Sequence, residues 1–316
     1  MQHRNLGRTD LQIAPLVFGG NVFSWTADER TSFDLLDRFV DAGLNAIDTA
    51  DSYSTWVPGN SGGESETIIG KWTKARGNRD RVVIITKVGS DMGGGKKGLS
   101  AAYIEQAVEA SLKRLQTDVI DLYLSHWPDP SVPYEETLGA YQDLIRKGKI
   151  RHAGASNLDA GQLRAALDIS AAKSLPRYEV LQPGYNLYDR AGFEGALREL
   201  CMAEGIGVIT YFSLAKGFLT GKYRSASDQA KSPRGSAAIA YLDERGRRIL
   251  AALDAVSQRR GAEPGEVALA WLIARPGVTA PIASATSAEQ MASLVRAATL
   301  QLDAADIAAL DAASAP

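Results

Sequence analysis

Short apolar runs alternate with longer amphipathic segments along almost the whole chain. Three of the runs cover residues 46–50, 82–87 and 121–126, and their length and β-branched or aliphatic side chains favour strands. Between the runs, apolar residues recur at helical spacing, and several of these segments end at a glycine, as at Gly43 and Gly77. This alternation predicts parallel strands that are connected by helices.

The number of runs predicts the architecture. Eight strand–helix units of this size indicate an α/β fold of the (β/α)8 TIM-barrel type, in one domain over residues 1–316. Two short β patterns around residues 4–6 and 12–13 predict an N-terminal β-hairpin, and a polar stretch at 215–236 carries no predicted element. The predicted strands are 16–20, 46–50, 82–87, 121–126, 150–156, 180–182, 207–212 and 278–284; the predicted helices are 28–42, 64–76, 100–115, 134–147, 160–172, 193–203, 242–259, 266–275 and 288–297.

Four side chains suited to proton chemistry lie at or just after predicted strand ends. They are Asp48, Tyr53, Lys87 and His126. Strand ends of a parallel barrel share one face, where catalytic groups gather. A carbonyl group reduced by hydride needs a proton on its oxygen, and a tyrosine phenol, with an ordinary pKa of about 10, could supply it. We expect the Lys87 ammonium to lower the Tyr53 pKa, Asp48 to hold Lys87, and His126 to orient the carbonyl or share the proton.

Other interpretations of these residues stay open. Asp48 and Lys87 could form a purely structural salt bridge, with Tyr53 as a half-buried aromatic beside it. A different enzyme class is also possible, because a desolvated lysine at a strand end can attack a carbonyl group, as in a Schiff-base lyase. Against this alternative, Asp48 would keep Lys87 protonated. Four complementary groups at three successive strand ends favour the proton-donating site.

Composition and charge narrow the classes of function. A hydrophobic fraction of 45% and a charged fraction of 23% are typical of globular proteins, and a net charge of −2 gives no basic surface for nucleic acid or an anionic membrane. The single cysteine, Cys201, excludes an internal disulfide, and no apolar run is long enough to cross a bilayer. The three histidines show no spacing typical of metal ligands, so no metal is expected. We expect a cytoplasmic protein that acts on a small molecule, in an oligomeric state that the sequence leaves open.

The glycine-rich segment at residues 93–98 matches the dinucleotide pattern G-x-G-x-x-G only formally. A Rossmann fingerprint follows its strand directly and has an acidic residue about 20 positions later, at the end of the next strand. Here residues 89–92 intervene, and the acids at the right distance, Asp118 and Asp121, lie before or at the start of the next strand. The segment therefore predicts a loop at the rim of the site.

Several segments near the strand ends resemble the aldo-keto reductase family. The resemblance covers essentially the whole chain and rests on residues 47–53, 85–89, 122–129, 148–157, 182–186 and 217–223. It implies a barrel that binds a nicotinamide dinucleotide in extended form and reduces an aldehyde or ketone by hydride transfer. By the same resemblance Tyr53 is the general acid, Asp48 and Lys87 tune it, and His126 places the carbonyl group.

The resemblance also implies where the cofactor binds. Ser156, Asn157 and Gln182 would bind the nicotinamide carboxamide, and Tyr211 would stack on the ring. NADPH is expected over NADH, because the hydroxyls of residues 284, 286 and 287 and the free N–H groups before the helix at 288–297 can bind the 2′-phosphate. NADH is the alternative, because Ala283 and Ala285 supply no guanidinium for that phosphate. The remaining residues expected along the pyrophosphate and adenosine are Leu214, Gly217, Lys222, Arg234, Ser284, Thr286 and Gln290.

Three tryptophans are expected near the mouth of the site, after the first strand, after Tyr53 and after His126. Trp25, Trp56 and Trp127 predict an apolar substrate pocket, although loop packing explains Trp56 equally well. A further alternative is a cofactor-sensing regulatory subunit, because some relatives of this fold attach to other proteins. The physiological substrate is not predicted, since specificity lies in loops.

Overall fold

Eight parallel strands close into a barrel in the computed structural model, which describes residues 1–315. Each strand pairs with the next one along the chain, and the last pairs with the first, so the predicted (β/α)8 fold is confirmed. The strands are the hairpin pair β1 (Arg4–Asn5) and β2 (Gln12–Ile13), then the barrel strands β3 (Val17–Gly19), β4 (Ala46–Asp48), β5 (Val83–Val88), β6 (Ile120–Ser125), β7 (Ile150–Ser156), β8 (Val180–Gln182), β9 (Gly207–Thr210) and β10 (Ala280–Ala283).

The predicted N-terminal hairpin is also confirmed, and it packs against the inside of the barrel. Leu6, Leu11 and Ile13 are buried in one cluster with side chains from seven of the eight barrel strands, all except β7. Gly7 has a φ of +64°, and a β-carbon there would lie 2.5 Å from the Gly207 nitrogen, so only glycine allows this close approach. The hairpin therefore fills the end of the barrel opposite to the strand C-termini.

The helices form the outer layer, and most begin at polar caps that the sequence provides. Asp28, Ser100 and Asp159 each accept a backbone N–H in the first turn of the helix that follows. The helices are α1 (Glu29–Asp41), α2 (Glu64–Arg76), α3 (Ala101–Leu115), α4 (Tyr134–Arg146), α5 (Ala160–Lys173), α6 (Ala196–Glu204), α7 (Gly235–Ile239), α8 (Glu244–Arg260), α9 (Pro264–Ala274), α10 (Ala288–Thr299) and α11 (Ala304–Ser314).

The second half of the chain differs from the sequence prediction in three places. Helix α6 begins at Ala196 and not at residue 193, because Gly195 has a φ of +81°, which is not helical. The stretch at 215–236 contains helical turns at Ala215–Thr220 and Ala226–Lys231. The closing helix α11 was not predicted.

The barrel strands bring the predicted site residues to one end. Asp48 and Gln182 are the last residues of β4 and β8, Lys87 is the penultimate residue of β5, and His126 follows β6 directly. Within residues 1–315 no helix is both long and apolar enough to cross a membrane.

Candidate functional site

Tyr53, Lys87 and Asp48 form a closed triangle of hydrogen bonds at the strand ends. Lys87 Nζ donates to Tyr53 Oη and to the Asp48 carboxylate, both at 2.8 Å, and Tyr53 Oη donates to Asp48 Oδ2 at 2.9 Å. A third donation from Lys87 Nζ reaches the Thr49 carbonyl oxygen at 2.7 Å. Lys87 has no exposed surface, and its ammonium donates all three of its N–H groups to protein acceptors. This arrangement gives no support to a lysine nucleophile.

The expected direction of the Tyr53 pKa was wrong for the protein alone. Burial raises the pKa of the phenol well above its ordinary value, and the negative charge of Asp48 raises it further. Burial also lowers the pKa of the Lys87 ammonium, against the opposing effect of Asp48. Tyr53 therefore stays protonated at neutral pH, as a proton donor must, but it is a weaker acid than the sequence led us to expect.

His126 stands beside Tyr53 as a neutral imidazole. The two ring centres are 6.2 Å apart, and burial, with the charge of Lys87, lowers the His126 pKa to about 3. A neutral ring cannot share a proton as an imidazolium, but its N–H can orient a carbonyl oxygen. His126 Nδ1 lies 2.9 Å from the hydroxyl of Ser90, which is buried in the loop after β5. Sequence reasoning missed Ser90, because its only signal was its place three residues after Lys87.

The four residues predicted for the nicotinamide lie together at the next strand ends. Ser156 Oγ donates to the Gln182 carbonyl oxygen at 2.8 Å, and Asn157 Nδ2 lies 3.0 Å from Ser156 Oγ. Tyr211 Oη donates to Asn157 Oδ1 at 2.7 Å. Backbone pairing with residues 183 and 185 holds Tyr211, and the absence of a side chain at Gly184 leaves room for its ring. This group is continuous with the triangle, because Asn157 Nδ2 also donates to the His126 carbonyl oxygen at 2.9 Å.

This polar group fits a planar amide ligand beside an aromatic ring. Gln182 Nε2 is committed to Asp48 at 2.7 Å, which leaves Gln182 Oε1 as an acceptor for an amide N–H. The partly exposed ring of Tyr211 offers a flat apolar face. The residues present are therefore compatible with a nicotinamide ring and its carboxamide.

The loop after β9 carries the next predicted residues. Leu214 is partly buried against the core, and Gly217, with a φ of +96°, lies beside the exposed Lys222, whose Nζ is 3.8 Å from the place of a β-carbon at 217. A glycine backbone with an adjacent ammonium is compatible with a phosphate. Arg234 belongs to the same stretch of chain, and its guanidinium stacks on Trp25, 4.8 Å from the ring centre.

Ser284, Thr286 and Gln290 lie at the end of β10 and the start of α10, and they are engaged with other protein groups. Ser284 Oγ donates to Asn21 Oδ1 at 2.7 Å. Gln290 Oε1 accepts from the Thr286 N–H at 2.8 Å and lies 3.1 Å from its hydroxyl. The 2′-phosphate of a bound cofactor would have to share these hydrogen bonds or replace them.

The structure brings all three predicted tryptophans to the mouth of the site. Trp56 contacts Tyr53 at 6.2 Å and Trp25 at 5.7 Å between ring centres, both edge to face. Trp127 stacks on His126 at 5.8 Å with an angle of 9° between the rings. Trp56 and Trp127 are each about half exposed, at 49% and 50%. A pocket role and packing against Trp25 both fit the position of Trp56.

A buried carboxyl, Asp51, lies outside the hydrogen-bonded triangle. Both of its side-chain oxygens are buried without a hydrogen-bond partner in residues 1–315. Burial and the neighbouring charge of Glu66 raise the Asp51 pKa to about 8. Glu66 itself is fully buried, accepting from Thr86 and Arg114. Asp51 is thus mostly a neutral acid at pH 7.

Cys201 is fully buried, and burial raises the pKa of its thiol to about 12. The described residues contain no group of three or more His, Cys, Asp or Glu side chains suited to a metal ion.

Comparison with known proteins places the chain in a family. The model of the Aldo/keto reductase family matches residues 15–315. Protein tas of Escherichia coli (strain K12) is 30% identical, over 99% of this chain and 97% of its own length. Aldo-keto reductase YhdN of Bacillus subtilis (strain 168) is 31% identical over 93% and 88%, and a putative voltage-gated potassium channel subunit beta of Schizosaccharomyces pombe is 32% identical over 93% and 87%. The chain therefore belongs to the aldo/keto reductase family of oxidoreductases.

Proposed function

We propose that this protein reduces an aldehyde or ketone to the alcohol with NADPH, with Tyr53 as the general acid. The observation that carries the proposal is the triangle of Tyr53, Lys87 and Asp48 beside a neutral His126. When bound, NADPH would supply the hydride that the carbonyl carbon accepts, and would be oxidised to NADP+. Tyr53 gives its phenolic proton to the carbonyl oxygen, which becomes the hydroxyl of the alcohol.

Each side chain of the site has a separate role that follows from its position. Tyr53 donates to Asp48 in the free protein, so its O–H turns to the substrate oxygen when the substrate binds. The Lys87 ammonium, which already donates to Tyr53 Oη, stabilises the phenolate that remains after proton transfer. The neutral His126 orients the carbonyl oxygen with a ring N–H. Ser156, Asn157, Gln182 and Tyr211 would hold the nicotinamide end of the cofactor, while Leu214, Gly217 and Lys222 would line its pyrophosphate.

Removal of the Tyr53 hydroxyl tests the assignment. Tyr53→Phe should lower the rate of carbonyl reduction about 10²–10⁴-fold, because a positioned general acid is lost. NADPH binding, followed by fluorescence titration, should stay within about twofold of the parent. A Tyr53→Phe variant that retained most of its reductase activity would remove Tyr53 from the mechanism.

A second candidate is a regulatory subunit that binds the cofactor without rapid turnover. Three relatives at 32% identity are named as putative or probable potassium channel beta subunits, from fission yeast, rice and Arabidopsis thaliana. Tight NADPH binding together with no turnover across a broad panel of aldehydes, ketones and sugars would favour this candidate. A Schiff-base lyase is disfavoured, because Lys87 is fully buried and all its N–H groups are donated.

A further inference from the structure

Asp51 is a buried carboxyl group next to the proton-donating triangle, and the proposed mechanism does not use it. It lies in the segment between Asp48 and Tyr53, and its backbone N–H donates to the carbonyl oxygen of Lys87 at 3.3 Å. The residue is 1% exposed, and among residues 1–315 both carboxyl oxygens lack a hydrogen-bond partner. A buried charge without a partner is costly, so this carboxyl group is expected to keep its proton.

The charges around Asp51 are balanced without it. Glu66 accepts from Arg114 Nε at 2.6 Å, and Asp48 accepts from Lys87 Nζ at 2.8 Å. Each cation thus has its own carboxylate, and a third carboxylate would carry an uncompensated negative charge. Burial raises the Asp51 pKa most and Glu66 raises it further, while the two cations offset only part of the rise.

The other titratable groups that face Asp51 are phenols. They are Tyr103 on α3, Tyr123 on β6 and Tyr141 on α4, and burial holds the pKa of each phenol above its ordinary value. These groups carry no charge at neutral pH, so they cannot compensate an ionised Asp51. The proton of Asp51 is therefore what keeps this buried part of the protein electrically neutral.

Lys87 links the charge state of Asp51 to the proton donor. Burial lowers the pKa of the Lys87 ammonium, whereas negative charge on Asp48 and on Asp51 acts to raise it. The same ammonium donates to Tyr53 Oη at 2.8 Å, and the phenolate that remains after proton transfer depends on it. A second carboxylate near Lys87 would cancel part of its positive potential. The phenolate would then be less stable, and proton transfer would be slower.

We propose that Asp51 is a positioning residue for proton transfer: the neutral acid leaves the Lys87 ammonium available to Tyr53, and loss of the Asp51 proton to solvent slows carbonyl reduction. This inference rests on the proposed reductase function. Tyr53 does not account for an activity loss near pH 8, because burial, followed by the charge of Asp48, holds its pKa well above the ordinary value of about 10. His126, with a pKa of about 3, does not titrate there either. The alkaline limit of the reaction is therefore assigned to Asp51.

Single-turnover rates over a range of pH test the proposal. The NADPH-loaded protein is mixed with excess 4-nitrobenzaldehyde, which does not titrate, and NADPH oxidation is followed from about pH 6 to about pH 9. A single turnover separates the chemical step from product release. Asp51→Asn keeps the shape of a neutral carboxyl group but cannot ionise, and Glu66→Gln removes the neighbouring negative charge. The control is Asp41→Asn, which changes an exposed carboxylate at the end of α1.

The rate of the parent should fall about 3–10-fold as the pH rises through about 8, because an uncompensated charge beside Lys87 shifts a pKa on the order of one unit. Asp51→Asn should show no such fall, with rates at about pH 7 and about pH 9 that agree within about twofold. Glu66→Gln should move the fall to lower pH by about one unit, since the charge that raises the Asp51 pKa is gone. Asp41→Asn should follow the parent throughout. A parent rate that stays constant over the whole range, or a fall that persists unchanged in Asp51→Asn, would overturn the proposal.

Infrared difference spectroscopy detects the proton on Asp51 without any turnover. The parent should show the C=O stretching band of a protonated carboxyl group at about pH 6 and lose it near pH 8, and Asp51→Asn should lack this band. If the band titrates but the parent reduces no aldehyde of a broad panel, the reductase function is rejected, and with it a role of Asp51 in proton transfer. If the parent reduces aldehydes but shows no such band at about pH 6, Asp51 is already ionised and this inference alone is rejected.

Discussion

Gln182 Nε2 donates a hydrogen bond to Asp48 Oδ1 across 2.7 Å and so joins the predicted nicotinamide site to the proton-donating triangle. Asp48 accepts from Lys87, Tyr53 and Gln182 together, and it is 1% exposed. The Asp48 carboxylate thus holds the proposed acid Tyr53, the ammonium of Lys87 and the amide of Gln182 in place. This shared anchor is the physical reason why these side chains should respond together when one is changed.

Lys87→Met tests the buried ion pair. The variant leaves the Asp48 carboxylate buried without its cation, and losing one partner of such a pair costs about 3–5 kcal/mol in the free energy of unfolding. Tyr53 and Gln182 still donate to Asp48, so the lower part of that range is expected, with loss of most reductase activity. The measurements are the urea midpoint and the rate of NADPH oxidation.

A matched control for that variant is Lys71→Met, which breaks the exposed pair of Lys71 with Glu29. Exposed pairs contribute about 1 kcal/mol or less, so stability and rate should hardly change. Lys87→Met with unchanged rate and pH profile would mean that Lys87 takes no part in proton transfer.

Ser90→Ala tests the orientation of His126. If the Ser90 hydroxyl donates to Nδ1, the neutral imidazole carries its proton on Nε2, where it can reach a carbonyl oxygen. Loss of this hydrogen bond should lower kcat/KM about 3–10-fold and populate both tautomers. Ring ¹⁵N shifts report the tautomer, and only His3 and His152 need to be distinguished from His126. Ser90→Thr keeps a hydroxyl and should retain the parent tautomer; an Nδ1–H tautomer in the parent would contradict this role.

The order of strands and helices was predictable from the sequence, because the spacing of apolar residues depends only on residues that are close together in the chain. Helix α11 was missed, since its alanine-rich segment over 304–314 shows no apolar stripe, although Asp303 caps it. The late start of α6 depends on the backbone angle of Gly195, which composition does not reveal. Both errors concern local structure that tertiary contacts decide.

The strand-end residues of the site were predictable for the same reason, whereas the contacts that loop residues make were not. Ser90 and Arg234 acquire their contacts from loop conformations that bring distant segments together, Ser90 to His126 and Arg234 to Trp25. The direction of the Tyr53 pKa was missed because the sequence names the neighbouring charges but not the extent of burial, which has the largest effect.

Asp51→Asn tests the buried neutral acid. A carboxyl group with a folded pKa near 8 and an unfolded pKa near 4 retains its proton in the folded state while the unfolded chain loses it. Stability from this group is therefore complete below about pH 4 and falls as the pH rises towards 8, with a slope on the order of 1 kcal/mol per pH unit. The asparagine variant cannot ionise and should lose less stability than the parent between pH 5 and pH 8. Parallel urea midpoints for the two proteins over this range would show that Asp51 is already ionised in the folded state.

The final prediction is the preference for NADPH or NADH, which we expect the turn before α10 to determine. Ser287 caps this helix, and the Thr286 N–H and hydroxyl both donate to Gln290 Oε1. An anion at this turn would compete with Gln290 for these two donors. Helix N-termini favour phosphate, but Ala283 and Ala285 are buried and uncharged, and Glu289 adds a negative charge in the first turn.

We therefore expect NADPH to bind more tightly than NADH by about 3–10-fold, the effect of one or two hydrogen bonds without a guanidinium. Fluorescence titration with both cofactors measures the ratio. Thr286→Val removes a hydroxyl from this turn and should weaken NADPH binding about threefold while it leaves NADH binding unchanged, since NADH has no 2′-phosphate. An equal loss for both cofactors would mean that the variant disturbs the turn as a whole. Equal or tighter binding of NADH by the parent would show that this turn does not recognise the 2′-phosphate.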